Sequence, residues 1–230
     1  MSDSKAPDPP NPSPPVPVDP RIEKYMRGLV KNTDDPVLLA MEELAYHKGF
    51  PIVDRLVGIF LASLTKLHKS RRIFEFGSGY GYSAYWFARA AGPDAEIICS
   101  DGNPSNRDLA ERFLKQAGLW ENIDFRVGLA QDLFKSTQGA FDICYNDVDK
   151  GDYPEIWRMA RDRIAPGGLY IADNVLWQGR VVMEPPVADI APGWTEAILE
   201  HNRLIFEDTG FDTFINPTRD GVLVARKTEN

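Results

Sequence analysis

Short apolar runs alternate with helical stretches through the middle of the chain, and this alternation constrains the fold more than any other feature. The runs have the composition of buried strands, and they are Arg72–Phe76, Glu96–Ser100, Asp124–Val127, Phe141–Tyr145 and Gly168–Ala172. Between them, segments such as Pro104–Ala117 place their apolar residues on one helical face. Alternating strands and helices predict a doubly wound α/β fold, a parallel sheet with helices on both faces.

The order of elements changes after the fifth run. A proline-containing loop, Val182–Trp194, leads to a helix predicted around 195–208. Two further strands follow, Phe211–Asn216 and Val222–Arg226, joined by a short turn that contains Asp220-Gly221. Strands joined so closely must run antiparallel. The sequence therefore predicts seven strands, mostly parallel, with an antiparallel C-terminal strand.

The start of the chain differs from the rest in composition. Eight of the first twenty residues are proline, and few are large and apolar. We therefore expect residues 1–20 to form a disordered tail and residues 21–230 to form a single domain. Three helices are predicted to open this domain, over about 21–31, 35–47 and 52–67, with Asp34 as a cap before Pro36.

Charge and cysteine content limit the possible partners and location. The chain has 26 basic and 34 acidic side chains, a net charge of −8, so it offers no broad basic surface to nucleic acid. It contains no apolar stretch long enough to span a membrane. Cys99 and Cys144 fall on strands that the first strand separates, too far apart for a disulfide. We expect a reduced, soluble, cytoplasmic protein.

A glycine-rich turn follows the first strand and opens a helix. Its glycines lie at 77, 79 and 81, whereas a dinucleotide site would need its third glycine where Tyr82 stands. Glu75 and Asp101, at the ends of adjacent strands, are expected to face each other across this turn. Carboxylates suit a ribose or a cation, and S-adenosylmethionine (SAM) offers both. The alternative for Asp101 is to cap the helix that starts near Pro104.

Polar side chains also follow the fourth and fifth strands. Asp147, Asp149 and Lys150 follow one strand, and Asp173 and Asn174 follow the other. Two carboxylates and an amide oxygen are a ligand set suited to Mg²⁺ or Ca²⁺. Lys150 could then accept a proton from a hydroxyl held at the same place. The alternative is that Asp147 and Asp149 only cap the next helix.

Five motifs in order give the chain a specific resemblance. They are Glu75–Ser83, Ser100–Pro104, Val127–Asp132, Asp147–Tyr153 and Gly167–Val181. Over about residues 35–227 the chain resembles the metal-dependent class I O-methyltransferases, the family of catechol and caffeoyl-CoA O-methyltransferases. This resemblance implies a Rossmann-like sheet, SAM as methyl donor, and a divalent metal, Mg²⁺ first, with Ca²⁺ or Mn²⁺ as alternatives.

The resemblance also implies a role for individual residues. The SAM site would comprise Glu75, Gly77, Ser78, Gly79, Gly81, Ser83, Asp101, Gly102, Ala130, Gln131 and Asp147. Asp147, Asp173 and Asn174 would hold the metal. Lys150 would be the general base, with Asp147 as the second catalytic residue, and Lys150 and Trp177 would contact the acceptor.

Methyl transfer to a hydroxyl of a small catechol-like or hydroxycinnamoyl acceptor is therefore the expected activity, carried out by a homodimer. Two alternatives stay open: an acceptor that is a hydroxylated uridine in transfer RNA, and a nucleoside-binding protein that has lost turnover. Tyr145 and Asn146 depart from the apolar residues usual in the family before the metal aspartate. Phe50–Arg55 departs likewise from its entrance-helix sequence. Asn146 is expected to alter the end of the fourth strand.

Overall fold

One seven-stranded sheet organises the molecule. The computed structural model describes residues 20–31, 34–183, 189 and 191–229. The strands are β1 (Arg72–Phe76), β2 (Glu96–Asp101), β3 (Ile123–Val127), β4 (Phe141–Asn146), β5 (Ile164–Ala172), β6 (Phe211–Asn216) and β7 (Val222–Lys227). Their order is β3-β2-β1-β4-β5-β7-β6, with parallel pairing from β3 to β5 and β7 antiparallel to both neighbours. The predicted fold class is confirmed.

The helices also follow the predicted pattern, with one wrong cap. They are α1 (Pro20–Leu29), α2 (Pro36–Lys48), α3 (Arg55–His68), α4 (Tyr82–Ala91), α5 (Pro104–Gln116), α6 (Ala130–Ser136), α7 (Tyr153–Ala160) and α8 (Trp194–Phe206). Asp35, not Asp34, caps α2, and its carboxylate accepts hydrogen bonds from the backbone N–H groups of Val37 and Leu38. Asp35 is favoured because the residue directly before Pro36 is extended, as an N-cap must be.

The core lies on both faces of the sheet. Side chains alternate along β1, so Ile73 packs in one apolar cluster while Phe74 and Phe76 pack in the other. Cys99 and Cys144 are both buried and free, on β2 and β4, with β1 between them. Two separate clusters around one sheet are the consequence of helices on both faces.

Several predictions concern segments outside the described residues. The tail predicted for residues 1–20 falls among them except for Pro20, which begins α1. Part of the loop Val182–Trp194 does so too. No described helix is long and apolar enough to cross a membrane. The single domain from residue 21 and the cytoplasmic location stay predictions.

Backbone hydrogen bonds continue past the strand ends and fix the loops at the carboxyl edge of the sheet. The N–H of Asp147 donates to Phe76 O at 2.9 Å, and the N–H of Asp173 donates to Asn146 O at 3.1 Å. Asn146 pairs in register with Phe76 and Ala172, so β4 runs one residue further than predicted and its end is regular. The expectation that Asn146 alters the strand end is wrong. Consecutive loops are therefore held side by side.

Candidate active site

A cavity of about 730 Å³ opens at this carboxyl edge, among the loops that follow the strands. Most of the predicted site residues line it, namely Gly77, Ser78, Gly79, Ser83, Asp101, Gly102, Ala130, Gln131, Asp147, Lys150, Asp173, Asn174 and Trp177. Of the described residues predicted for the site, Glu75 and Gly81 are not in this lining. The cofactor residues and the metal residues predicted separately thus share one space.

The glycine turn touches the loop after β4 with no side chain between them. Gly77 has φ of +79°, and a Cβ there would stand 2.6 Å from the backbone oxygen of Asp147. Only glycine satisfies both the left-handed conformation and this close approach. Gly81, at the start of α4 with φ of +86°, faces Ala110 and Leu114 on α5, so its place is in helix packing.

Glu75 is fully buried against the glycine turn. Its buried carboxylate accepts hydrogen bonds from the hydroxyls of Ser78 and Ser83. Burial raises the pKa of Glu75 to about 7, against the lowering effect of these serine hydroxyls. Glu75 contacts the cavity through the two serines, and its arrangement opposite Asp101 stays a prediction.

Asp101 does not cap α5, so the alternative that it serves only as a helix cap is wrong. Asn103 is the cap, and its side chain accepts from the N–H of Ser105 at 2.9 Å. The Asp101 carboxylate instead accepts from the N–H of Gly79 at 3.0 Å and from the side chain of Asn106 at 3.0 Å. It ties the glycine turn to the end of β2 while lining the cavity.

Lys150 connects the loops after β4 and β5. Its buried ammonium donates to Asp147 Oδ1 at 3.2 Å, to Val148 O at 3.2 Å and to Tyr153 Oη at 2.9 Å. The Tyr153 hydroxyl in turn donates to the backbone oxygen of Asp173 at 2.9 Å. All three donors of Lys150 have acceptors, and one tyrosine joins the lysine to the second predicted metal aspartate.

The two aspartates form a site of concentrated negative charge. Burial, and then the charge of Asp147, raise the pKa of Asp173 to about 7. Burial also raises the pKa of Asp147, against the favourable charge of Lys150. Neighbouring carboxylates that oppose each other's ionisation are a donor set that a divalent cation would stabilise.

The metal prediction depends on Asn174 as the third ligand. Among the residues that the structure describes, no three His, Cys, Asp or Glu side chains stand together as a metal site. The amide of Asn174 completes the predicted set, and this residue lines the same cavity with φ of +55°. Its N–H donates to Asp173 Oδ1 at 2.9 Å, which holds the two side by side.

Sequence reasoning missed three residues here. The sequence places Asp220 only in a turn, yet this residue lines the cavity and accepts from the N–H of Gln178. Trp194 packs on Trp177 with ring centroids 5.7 Å apart, and Tyr153 contacts Lys150. The signal for Tyr153 was present, because a residue three positions after Lys150 shares its side of a helical turn.

Asn146 enters a buried polar network behind the site. Its amide donates to the Tyr170 hydroxyl at 3.0 Å, and that hydroxyl lies 3.0 Å from Nε2 of His201. Nδ1 of His201 lies 3.0 Å from Oδ1 of Asn202, whose amide donates to Val175 O at 2.8 Å. His201 is thus fully buried in the core.

Comparison with known proteins extends these observations. The family model described as O-methyltransferase matches residues 29–228. The catechol O-methyltransferase of Niastella koreensis is 33% identical over 169 residues, which cover 71% of this chain and 76% of the relative. The caffeoyl-CoA O-methyltransferase of Eucalyptus gunnii is 31% identical over 179 residues, covering 75% and 72%.

Solved structures agree with the sequence relatives. The O-methyltransferase TomG from Streptomyces achromogenes, solved in complex with SAM, superposes with a TM-score of 0.80 at 25% identity, covering 90% of this chain and 96% of that one. A methyltransferase from Geobacter sulfurreducens superposes with a TM-score of 0.76 at 27% identity, covering 92% and 97%.

Proposed function

This chain belongs to the O-methyltransferase family and is a SAM-dependent O-methyltransferase, and we propose that its acceptor is a small catechol-like or hydroxycinnamoyl molecule positioned by a divalent metal. In the reaction the methyl–sulfur bond breaks as a methyl–oxygen bond forms, and the acceptor hydroxyl loses its proton. The observation that carries the proposal is the convergence of Asp147, Lys150 and Asp173 in the cavity that the glycine turn also lines.

The cofactor end of the cavity suits SAM. We assign to it the predicted residues Gly77, Ser78, Gly79, Ser83, Asp101, Gly102, Ala130, Gln131 and Asp147, with Glu75 and Gly81 supporting the turn. Asp101 is the ribose partner in this assignment, because its carboxylate lies at the end of the strand next to the glycine turn. The turn allows close backbone approach to the methionine part of SAM.

We assign Asp147, Asp173 and Asn174 as the metal ligands. Mg²⁺ is the preferred ion, and Ca²⁺ or Mn²⁺ are alternatives. The oxygen donors of these residues support the assignment, and so does the repulsion between the two negative aspartates, which a divalent cation would relieve. A bound divalent cation would supply Lewis-acid assistance to ionisation of the acceptor and a template for its orientation. Lys150, hydrogen-bonded to Asp147, is our assigned base for the acceptor proton.

The acceptor end of the cavity favours molecules without phosphate groups. The described lining of the whole cavity contains six aspartates, Asp101, Asp147, Asp149, Asp152, Asp173 and Asp220, against the two cations Lys150 and Arg219. Lys150 is held by Asp147, and Arg219 lies 3.5 Å from Asp54 and 3.7 Å from Glu23. Trp177 and Trp194 offer flat apolar surface to an aromatic ring. A free catechol or hydroxycinnamate fits this charge better than a coenzyme A ester.

Transfer of labelled methyl from SAM tests the proposal. Catechol, caffeate, caffeoyl-CoA and transfer RNA would be offered with Mg²⁺ and with chelator. We expect metal-dependent methylation of the small aromatics and a loss of about a hundredfold or more in Asp147→Asn and Asp173→Asn. Asp162→Asn, an exposed change away from the cavity, is the matched control. Transfer only to RNA, or full metal-stimulated activity in both site variants, would contradict the proposal.

The homodimer is likewise a proposal. Ile22, Tyr25 and Leu29 are exposed on α1 at helical spacing, which gives a second copy an apolar surface to cover. Light scattering on the purified protein is the test, and a monomer mass at assay concentration would reject it.

A further inference from the structure

The cavity wall contains an unusual concentration of left-handed backbone. Among the described residues, five that are not glycine have positive φ, and three of them are Asn174 (55°), Trp177 (47°) and Gln178 (53°). A fourth, Arg219 (56°), lies in the turn between β6 and β7. Such conformations persist only where surrounding contacts hold them, and they concentrate at functional sites.

The turn before β7 supplies those contacts. The N–H of Val175 donates to Gly221 O at 3.1 Å, and the N–H of Leu176 donates to Asp220 O at 2.9 Å. The side chain of Asp220 accepts from the N–H of Gln178. The side chain of Leu176 packs so closely on Gly221 that a Cβ there would stand 2.4 Å from Leu176 Cγ.

The turn is itself anchored. Arg219 lies within ion-pair distance of Asp54, the N-cap of α3, and of Glu23 on α1. From α8, Asn202 donates to Val175 O at 2.8 Å. The segment 174–179 is thus held by the turn before β7 and by Asn202. The side chain of Asp220 bonds to Gln178, one of its residues with positive φ.

We propose that Asp220 is a positioning residue for the acceptor: its side-chain oxygen holds the segment 174–179 in its left-handed shape and thereby places Trp177 against the cavity. Asp220 then acts by accepting a hydrogen bond, and its charge is dispensable. The effect on acceptor binding rests on the proposed function, whereas the effect on the conformation of Trp177 does not.

Replacing Asp220 by Asn and by Ala separates these roles, because Asn keeps the side-chain oxygen and loses the charge. With 5-fluorotryptophan incorporated, the ¹⁹F resonance of Trp177, assigned through Trp177→Phe, reports the segment directly. We expect Asp220→Ala to shift that resonance and to raise the acceptor KM about tenfold, with SAM affinity changed less than about twofold. Asp220→Asn should keep the wild-type resonance and stay within about threefold in KM.

Asp212→Ala, an exposed change on β6, controls for general weakening of the β6–β7 pair and should leave the resonance unmoved. Equal losses in Asp220→Asn and Asp220→Ala would show that charge matters and would overturn the proposal, as would an unshifted resonance in Asp220→Ala.

If Asp220→Ala folds poorly, Gln178→Gly offers a second measurement, since glycine adopts the left-handed conformation freely. The double variant Asp220→Ala/Gln178→Gly should have a higher Tm than Asp220→Ala alone. An equal or lower Tm would contradict the proposal. Wild-type protein without methyl transfer would reject the proposed function, while the ¹⁹F comparison would still decide the role of Asp220.

Discussion

At the scale of single residues, the site depends on how Lys150 is held. Two of its N–H groups donate to Asp147 and to Val148 O. The third donates to Tyr153 Oη at 2.9 Å, and the Tyr153 hydroxyl donates to Asp173 O. The base that we propose Lys150 to be must be both oriented and close to its proton donor. Tyr153 therefore links the orientation of Lys150 to the position of Asp173.

Tyr153→Phe tests this link. The variant keeps the buried ring and removes the hydroxyl, which frees Lys150 on one side and leaves Asp173 O without its donor. We expect kcat to fall about tenfold with little change in the KM for SAM, because one buried hydrogen bond to a charged group is lost. The pH profile of kcat should change as well. Unchanged kcat and an unchanged profile would show that Tyr153 only fills space.

Residue positions were predictable where the residue follows a strand. Asp101, Asp147, Asp173 and Asn174 could be placed because parallel strands end at one edge of the sheet. Asp220 lies on a turn whose relation to β5 depends on how two distant segments approach each other. No local pattern records that approach, so its place in the cavity had to be seen in the fold.

At the scale of elements, α3 and α4 pack through a glycine. A Cβ on Gly58 would lie 2.3 Å from Nε1 of Trp86, so the indole rests directly on the backbone of α3. Gly58→Ala should destabilise the protein by about 1–3 kcal/mol through overpacking, despite the better helix propensity of alanine. Denaturant unfolding measures it, with Ala62→Gly on the same helix as a propensity control. A stabilised Gly58→Ala would show that the ring moves aside without cost.

Element types were predictable because periodicity reports them, whereas boundaries follow from individual contacts. β5 starts at Ile164 and not at Gly168, since Ile164 pairs with Phe141 before a bulge resets the register. The cap of α2 was misplaced by one residue for a similar reason. A choice between Asp34 and Asp35 rests on backbone conformation next to Pro36, which composition alone does not distinguish.

At the scale of the whole molecule, the buried network around His201 couples stability to pH. Burial lowers the pKa of His201 to about 4, below the ordinary value of 6.5. Between these values the unfolded chain binds a proton that the folded protein excludes. Stability from this residue is thus complete above pH 6.5 and is lost as the pH falls toward 4.

His201→Gln isolates this effect, because glutamine can still accept from Tyr170 and does not titrate. Between pH 7 and pH 4.5 the wild type should lose about 2–3 kcal/mol more unfolding free energy than the variant. Glu75 and Asp173, whose pKa values are raised to about 7, act in the opposite direction in both proteins and cancel in the comparison. Parallel stability curves would mean that His201 is not buried in its neutral form.

The contact between Gly77 and the backbone oxygen of Asp147 sets the separation of two loops of the candidate active site. The loop assigned to SAM and the loop assigned to metal and base meet there at van der Waals range, with only the glycine α-hydrogen as spacer. If the proposed assignments hold, the main chain itself sets the spacing between the SAM loop and the loop of the metal and base. A methyl group at this position would push the loop after β4 away from the glycine turn, and Asp147 and Lys150 would move with it.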